Sequence, residues 1–249
     1  MSELQHPGAR SFELVAGLYE RVRPAYPPDA IAWIAERLDL REGRTVLDLG
    51  AGTGKLTRPL LGTGARVIAV EPGDAMRAEL SRGLPEAETL RGAAEAIPLP
   101  DGSVDAAAVG QAFHWFRHAE AIPELHRVLR PGGWLALAWN SRDQESELQR
   151  EISELIAPLV TSRRAISAES SRALEKSELF GPLEERHFRF VDKLDEDALA
   201  GRIASVSFVA AAPPEIRRDV DARLRALVRR HGGRVDFAYV TGVYVSSAL

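Results

Sequence analysis

The stretch from Val46 to Thr57, "VLDLGAGTGKLT", joins a short apolar run to three glycines on alternate positions. The apolar run predicts a buried β-strand, and the residues after the glycines predict the start of a helix. Glycine at Gly50, Gly52 and Gly54 permits positive φ angles and lets a ligand lie directly against the main chain. The free N–H groups of a helix start would point to the same place. The stretch therefore predicts a nucleotide-binding loop at the end of a strand.

Acidic residues beside the loop separate two kinds of nucleotide. A dinucleotide-binding loop has the spacing G-x-G-x-x-G, whereas this loop has G-x-G-x-G with Asp48 two residues before the first glycine. A carboxylate at that position repels a pyrophosphate and suits a cationic or amine-bearing ligand. Glu71 ends the next apolar run, 21 residues after Gly50, close to the ~20 residues at which an acidic side chain reaches a ribose. Both nucleoside classes share the acidic residue at Glu71, so it is Asp48 and the glycine spacing that favour a positively charged nucleoside over NAD.

Apolar runs alternate with helix-like segments along the rest of the chain. This alternation predicts an α/β fold in which helices cover both faces of a mostly parallel sheet. The strand candidates are "RTVLDLG" (44–50), "ARVIAVE" (65–71), "AETLRG" (87–92), "SVDAAAVG" (103–110), "GWLALAWN" (133–140), "LEERHFRFV" (183–191) and "DFAYVTGVYVS" (236–246). We therefore expect seven strands.

We expect a single domain over residues 1–249, divided into four segments. These are N-terminal accessory helices (1–40), a cofactor-binding core (41–141), a helical cap insertion (142–182), and C-terminal strands and helices (183–249). The cap is predicted from apolar residues at helical spacing, namely Leu148, Ile152, Leu155, Ile156 and Leu159. A similar stripe in the tail consists of Ile216, Val220, Leu224 and Leu227.

Composition limits the possible partners. The chain has 249 residues, a formal net charge of −4 and no cysteine, so disulfides and thiolate chemistry are excluded and a cytoplasmic location is expected. No basic excess points to nucleic acid or to an anionic membrane surface. The basic stretch "RRDVDARLRALVRR" (217–230) is interrupted by Asp219 and Asp221, which favours a solvated helix. We expect a monomer or homodimer that acts on a small molecule and binds neither nucleic acid nor membrane.

Four segments between Val46 and Trp139 resemble successive motifs of class I S-adenosylmethionine-dependent methyltransferases. They are "VLDLGAGTGKLT", "VIAVEPGDAM", "GAAEAIPLPDGSVDAAAV" and "ELHRVLRPGGWLALAW". The flanking "YERVRPAYP" and "GQAFHWF" are similar to the subgroup with a methyltransferase type 11 domain, which includes trans-aconitate methyltransferase-like enzymes. The resemblance implies a Rossmann-like three-layer sandwich with strand order 3-2-1-4-5-7-6 and an antiparallel last strand.

The resemblance also implies S-adenosylmethionine as the cofactor and a set of residues that bind it. The loop lies under the methionine part and ribose, Glu71 takes both ribose hydroxyls, and Gln111 lies beside the methionine part. The full set is Tyr19, Arg23, Asp48, Gly50, Ala51, Gly52, Thr53, Gly54, Glu71, Pro72, Met76, Ala94, Glu95, Gln111 and Ala112. Tyr19 or Arg23 would hold the methionine carboxylate.

One position departs from the family pattern on the adenine side. Many relatives have an acidic residue where this chain has Ala93, so the usual side-chain acceptor for the adenine amine is missing. Pro72 and Met76 would flank the adenine, and Ala94 and Glu95 would lie at its edge. Either the affinity for the cofactor is reduced, or Glu95 or a main-chain carbonyl replaces the missing acceptor.

Acceptor-binding residues are expected after the fourth and fifth strands, because ligands bind outside the carboxyl ends of parallel strands. His114 is a candidate general base, since an unperturbed imidazole titrates near pH ~6.5, although a structural histidine is the alternative. The substrate-facing candidates are His114, Trp115, Trp139, Asn140 and Arg142. Arg142 suits a carboxylate, with a solvated charge as the alternative. Phe208 and Tyr239 are further residues that the tail can bring to the pocket.

No metal site is expected, although His114 and His118 have i, i+4 spacing, because the surrounding zinc-binding pattern is absent. Three functions follow from the sequence. The first is methyl transfer to an oxygen, nitrogen or carbon atom of a small molecule. The second is non-catalytic binding of S-adenosylmethionine or its demethylated product. The third, disfavoured by Asp48 and the glycine spacing, is NAD-dependent oxidoreduction.

Overall fold

The protein contains one seven-stranded sheet in the expected order. The structure, a computed structural model, describes residues 23–159 and 166–249. Neighbouring strands follow the order β3-β2-β1-β4-β5-β7-β6, and β7 alone runs antiparallel to its neighbours. The strands are β1 Thr45–Leu49, β2 Arg66–Val70, β3 Glu88–Leu90, β4 Val104–Gly110, β5 Leu129–Arg142, β6 Glu184–Leu194 and β7 Val235–Ser247. The predicted fold class and strand order are confirmed.

Helices cover both faces of the sheet. α4 and α6 pack on the face that carries Leu47, and α1 and α2 pack on the face that carries Val46. The helices are α1 Pro28–Arg37, α2 Thr57–Leu61, α3 Asp74–Gly83, α4 His118–Val128, α5 Glu147–Ile156, α6 Ile166–Glu175, α7 Glu196–Ala204, α8 Ser207–Ala210 and α9 Pro214–Arg230, with 3-10 turns at Phe113–Trp115 and Ala157–Leu159. Because β1 and β4 are buried on both faces, their sequences are nearly continuous apolar runs.

A separate hydrophobic core lies beyond the end of β5. The β5–β7 pairing ends at Arg142 and Tyr239, after which β7 pairs with β6 alone. Helices α5, α7, α8 and α9 pack together against this extension, around Ile152, Leu199 and Phe237. We call these four helices and the extended strand ends the β6–β7 module. It adds a second hydrophobic cluster at the end of the sheet where ligands bind in α/β proteins.

The predicted cap (142–182) is divided between two parts of the structure. Its first helix, α5, belongs to the β6–β7 module and buries Leu148, Ile152 and Ile156 of the predicted stripe, whereas Leu155 and Leu159 are only partly buried. Its second helix, α6, instead packs against the 3-10 turn and α4, so that Leu174 and Phe180 join the main core. The cap boundary also differs, because Arg142 is the last residue of β5.

The predicted stripe in the tail is largely confirmed. Val220, Leu224 and Leu227 are buried on α9, but Ile216 is 39% exposed because it lies in the first turn, beyond the module core. Within the described ranges, no helix is both long enough and apolar enough to span a membrane.

Candidate active site

The glycine loop connects β1 to α2 through a series of turns. Gly50, Gly52 and Gly54 have φ angles of +71°, +58° and +94°, a region that residues with a Cβ rarely adopt. A Cβ at Gly50 would lie 2.7 Å from the Ala112 Cβ, and one at Gly54 would lie 2.6 Å from the Leu84 Cδ1. A Cβ at Gly52 would meet nothing within 4 Å. The outer glycines therefore allow close packing, and Gly52 leaves bare main chain beside open space.

Glu71 follows β2 and fixes the centre of this loop. Its Oε2 accepts a hydrogen bond from the Gly52 N–H at 2.9 Å, and its Oε1 accepts one from the Gly73 N–H at 2.8 Å. Each carboxylate oxygen can accept more than one hydrogen bond. The carboxylate is thus oriented by the main chain with acceptor capacity that suits ribose hydroxyls.

Asp48 contributes a buried acceptor below the loop. The residue is 1% exposed, and its Oδ2 accepts a hydrogen bond from the Thr57 hydroxyl at 2.6 Å. Its Oδ1 is buried and has no hydrogen-bond partner among the residues that the structure describes. Burial raises the pKa of the Asp48 carboxyl to about 7, Thr57 opposes the rise, and repulsion by Glu71 adds to it. A buried acceptor of this kind fits a ligand with an ammonium group.

Residues predicted around the adenine lie after β2, on α3 and in the segment after β3. Met76 and Ala94 are buried, and Pro72 is partly exposed. The Glu95 carboxylate accepts a hydrogen bond from the Arg117 N–H at 2.9 Å. This bond ties the segment after β3 to the start of α4, so Glu95 has a positioning role besides the predicted adenine contact.

The residue after β4 has a strained main chain. Gln111 has a φ angle of +57°, which is uncommon for a residue other than glycine and is concentrated at functional sites. Its N–H donates to the Ala138 carbonyl at 2.9 Å, and its Nε2 donates to the Asn140 carbonyl at 2.8 Å. These bonds hold the ends of β4 and β5 together and place Ala112 against Gly50.

His114 and Trp115 lie in the 3-10 turn after β4, with their ring centroids 4.7 Å apart. The Trp139 indole Nε1–H donates to the His114 Nδ1 at 3.3 Å. An indole only donates, so this nitrogen carries a lone pair, and the proton of a neutral ring lies on Nε2. His118 begins α4 and contacts the Phe113 carbonyl through Nε2 at 3.1 Å, so the two histidines do not share a helix face.

Trp139 occupies a different position from the one expected. It is 3% exposed and packs edge-on against Tyr244, with centroids 5.7 Å apart. We expected it to face the substrate, but β5 directs this side chain into the main core. Its contact with His114 makes it a positioning residue. No group of three or more His, Cys, Asp or Glu residues suited to a metal occurs in the described part of the chain.

The last residues of β5 connect the sheet to the module. The Asn140 Nδ2 donates to the Ala25 carbonyl at 3.2 Å, and its Oδ1 accepts a hydrogen bond from the Thr241 hydroxyl at 2.6 Å. Arg142 donates to the Gln149 Oε1 at 3.5 Å and to the Ser153 hydroxyl at 3.1 Å. Burial lowers the pKa of the Arg142 guanidinium. Arg142 is therefore partly buried, and the alternative interpretation, in which it is a solvent-exposed charge without a role in the site, is not supported.

The N-terminal candidates are only partly described. Tyr19 lies outside the described residues, so its predicted role stays a prediction. The Arg23 Nη2 donates to the Ser205 carbonyl, at the end of α7, at 2.8 Å. Tyr26 was missed by sequence reasoning. It is buried, and its hydroxyl would lie 2.5 Å from a Cβ at Gly110, so the glycine that ends β4 was the signal for it.

Two further side chains were not assigned from the sequence. Thr57 holds Asp48, and Arg202 donates to the Tyr239 hydroxyl at 2.6 Å. Tyr239 lies beside Arg142, as the register shows, whereas Phe208 packs within the module core. Arg202 had no detectable signal, because its contact joins two segments far apart in sequence.

Comparison with known proteins agrees with this geometry. Residues 47–137 match the family described as "Methyltransferase domain". An uncharacterised methyltransferase of Mycobacterium tuberculosis (strain ATCC 25618 / H37Rv) is 42% identical over 221 residues, which cover 89% of this chain and 86% of that protein. An uncharacterised methyltransferase of Schizosaccharomyces pombe (strain 972 / ATCC 24843) is 33% identical and covers 96% and 98% of the two chains.

A solved structure from Anaeromyxobacter dehalogenans, provisionally described as a type II methyltransferase, is also similar. It superimposes with a TM-score of 0.66 and 25% identity, over 91% of this chain and 97% of that one. The strand order, the glycine loop and the near full-length relatives lead to the same family. The chain belongs to the class I S-adenosylmethionine-dependent methyltransferases.

Proposed function

We propose that the protein transfers the methyl group of S-adenosylmethionine to a small-molecule acceptor. The observation that carries the proposal is the buried Asp48 Oδ1 below the glycine loop, which has no hydrogen-bond partner within residues 23–159 and 166–249. It supplies an acceptor for the ammonium of the methionine part. Glu71 supplies acceptors for the ribose, and Gly52 supplies bare main chain between them.

The remaining residues proposed to hold the cofactor follow β1, β2, β3 and β4 along the chain, and one of them lies on α3. They are Gly50, Ala51, Thr53, Gly54, Pro72, Met76, Ala94, Glu95, Gln111 and Ala112. The sulfonium of the bound cofactor supplies an activated methyl group. The chain's own contribution is to orient the acceptor atom at ~3 Å from that methyl and to exclude water. Such a reaction requires few catalytic side chains.

His114 is proposed to contact the acceptor through Nε2. In the tautomer that Trp139 favours, Nε2 carries a proton and therefore donates a hydrogen bond. A general-base role requires the proton on Nδ1 instead, at the expense of the Trp139 hydrogen bond. Trp115 and Asn140 are proposed to form the adjoining walls.

Calorimetric titration tests the cofactor assignment directly. Purified protein would be titrated in parallel with S-adenosylmethionine, its demethylated product S-adenosylhomocysteine, and NAD. We expect saturable binding of the first two and none of NAD. Exclusive binding of NAD would refute the assignment and favour an oxidoreductase.

An acceptor screen then separates catalysis from binding alone. The screen would include oxygen, nitrogen and carbon nucleophiles and would follow the formation of S-adenosylhomocysteine. Turnover of one acceptor establishes methyl transfer. Binding of the cofactor with no turnover of any acceptor would favour the non-catalytic binding protein.

A further inference from the structure

Two arginines and a tyrosine meet where β5 ends and the β6–β7 module begins. Arg142 lies directly opposite Tyr239 in the β5–β7 register, so both side chains project from the same face of the sheet. Arg202, on α7, donates from Nη1 to the Tyr239 hydroxyl at 2.6 Å and to the Asp192 Oδ2 at 3.0 Å. We call Arg142, Arg202 and Tyr239 the arginine–tyrosine cluster.

The cluster has more positive than negative charge. Asp192 balances Arg202, but both hydrogen bonds of Arg142 go to neutral side chains, and no acidic residue of the described ranges forms an ion pair with it. Asp143, the first residue after β5, pairs with Arg189 at 3.7 Å. Desolvated charges in proteins are normally paired. Arg142 is thus a partly buried cation whose counter-charge a ligand can supply.

Tyr239 adds a second donor beside Arg142. Its hydroxyl accepts a hydrogen bond from Arg202, so its own proton points elsewhere. Burial raises the pKa of the Tyr239 phenol, although Arg202 opposes this, and the group stays neutral. A charge-assisted bond to the oxygen also strengthens the O–H as a donor. A guanidinium and a phenol side by side offer the directed donors that an oxyanion requires.

The main chain of Arg142 is well separated from the glycine loop. Asp48 aligns with Ala108, and Ala108 aligns with Ala136, so Arg142 is two strands across from Gly50 and four residues further along. At ~4.8 Å per strand and ~3.3 Å per residue, their main chains are roughly 16 Å apart. The cluster therefore lies away from the proposed cofactor residues, near the end of β5, where the acceptor is expected to bind.

We propose that Arg142 and Tyr239, supported by Arg202, bind an oxyanion group of the acceptor. The acceptor is then a small carboxylate or phosphate ester that is methylated at an atom nearer the glycine loop. Only the identification of the anion as part of the acceptor rests on the proposed methyl transfer. The anion site itself rests on the geometry of the cluster.

The test compares acids with their amides. Binding of acetate, benzoate and succinate, of acetamide, benzamide and succinamide, and of methyl phosphate would be measured by calorimetry, with and without saturating S-adenosylhomocysteine. We expect at least one acid, or methyl phosphate, to bind about tenfold or more tightly than the amides. Arg142→Gln is expected to weaken that anion by about 10- to 100-fold, because it removes a charge-assisted contact.

Two further variants keep the test decisive. Tyr239→Phe removes only the hydroxyl and retains the ring that stacks on Phe190 at 5.1 Å, so it reports on the site even if Arg142→Gln fails to fold. We expect it to weaken the anion by about 3- to 10-fold. Arg218→Gln, at an exposed position of α9, is the charge-matched control and should change nothing.

The outcomes separate the two proposals. Tighter binding of methyl phosphate than of acetate would identify a phosphate ester as the acceptor class, and the reverse would identify a carboxylate. Equal binding of acids, methyl phosphate and amides, or an anion preference that survives both cluster variants, would overturn the anion site. An anion preference that is lost in the variants, in a protein that does not bind S-adenosylhomocysteine, would support the anion site and reject the proposed methyl transfer.

Discussion

The two sides of the candidate site are built in different ways. We call the glycine loop with Asp48 and Glu71 the cofactor side, and the region of the arginine–tyrosine cluster the acceptor side. On the cofactor side, main-chain groups set the geometry, since the Gly50 N–H donates to the Val70 carbonyl and the Gly52 N–H donates to Glu71. On the acceptor side, side chains from distant segments meet, as in the contact between Arg202 and Tyr239. Strand ends fix the first arrangement within one βαβ unit, whereas the second depends on helices inserted around β6.

The two sides also differ in charge. Asp48 and Glu71 place buried carboxylates below the glycine loop, whereas a partly buried guanidinium group (Arg142) and a buried one (Arg202) lie near the end of β5. Each side therefore favours a ligand group of opposite sign: an ammonium on the cofactor side and an oxyanion on the acceptor side. Substitutions on each side can show whether these features determine stability, binding, or both.

The largest effect is expected from Gly50→Ala. The new Cβ would lie 2.7 Å from the Ala112 Cβ at a φ angle of +71°. Left-handed strain costs about 1–2 kcal/mol, and overpacking costs about 1–3 kcal/mol more. The free energy of unfolding, measured in urea, should therefore fall by roughly 2–5 kcal/mol.

Substitutions at two further glycines separate a loss of stability from a loss of ligand binding. Gly52→Ala and Gly102→Ala introduce a Cβ at nearly the same φ, +58° and +56°, with nothing within 4 Å. Both should lose only the strain energy, about 1–2 kcal/mol. Gly52→Ala alone should also weaken S-adenosylhomocysteine by about tenfold or more, because its methyl enters the space left for the ligand. Equal affinity in the two variants would contradict the placement of the ligand against Gly52.

The second-largest effect concerns the protonation of the Asp48 carboxyl and its influence on stability. A carboxyl whose pKa is about 7 in the folded state, against 3.8 in a model peptide, holds its proton when the unfolded chain has lost it. Stability therefore falls as pH rises from about 4 to 7 and stays low above pH 7. The full difference corresponds to about 4 kcal/mol at pH 8. Asp48→Asn should thus be more stable than the wild type by roughly 2–4 kcal/mol at pH 8, and it should lose affinity for S-adenosylhomocysteine.

Asp105 provides a matched comparison, because its pKa is shifted in the opposite direction. It is also buried, at 4% exposed. Burial raises the pKa of its carboxyl, but hydrogen bonds from the Thr45 N–H and Arg130 and the charges of Arg130 and Arg44 outweigh burial. The pKa of Asp105 is therefore lowered. Its contribution to stability is therefore present above pH 4 and is lost as pH falls. Asp105→Asn should destabilise the protein at pH 8 by about 1–3 kcal/mol. If both asparagine variants lowered stability at pH 8, Asp48 would be a structural residue and not an acceptor kept for the cofactor.

The cofactor side was largely predictable from the sequence because local chemistry defines it. A glycine between apolar residues at the end of a strand indicates a bare main chain whatever surrounds it, and an acidic residue at the end of the next strand lies beside it. The positions of Asp48 and Glu71 beside the loop could therefore be predicted from spacing, whereas their contacts with a cofactor stay a prediction. The missing partner of the Asp48 Oδ1 could not be predicted, because it depends on which side chains pack around a buried atom.

The acceptor side was less predictable because tertiary packing defines it. Trp139 was expected at the substrate, but strand alternation near the end of β5 turns it into the core. Arg142 was identified as a cation, yet its partners Gln149 and Ser153 come from an insertion whose packing the sequence does not reveal. The apolar stripe of α5 indicated a helix but not the neighbour that covers it.

The smallest expected effect lies at the boundary of the two sides and concerns the His114 tautomer. The Trp139 indole donates to Nδ1 at 3.3 Å, so neutral His114 should carry its proton on Nε2, which nitrogen NMR shifts of the labelled imidazole can measure. Trp139→Phe removes that donor, and we expect a mixture of tautomers and a roughly 3- to 10-fold loss of methyl transfer, equivalent to one ordinary hydrogen bond.

Affinity for S-adenosylhomocysteine should not change in that variant, because Trp139 does not line the cofactor side. Trp134→Phe is the control, since Trp134 lies on the same strand but on the opposite face, where Arg37 covers its ring. If wild-type His114 carries its proton on Nδ1, then Nε2 is a lone-pair acceptor, and His114 acts as a general base. If it carries the proton on Nε2 and Trp139→Phe slows transfer, His114 acts as a hydrogen-bond donor that orients the acceptor, and the acceptor must then offer a lone pair to it.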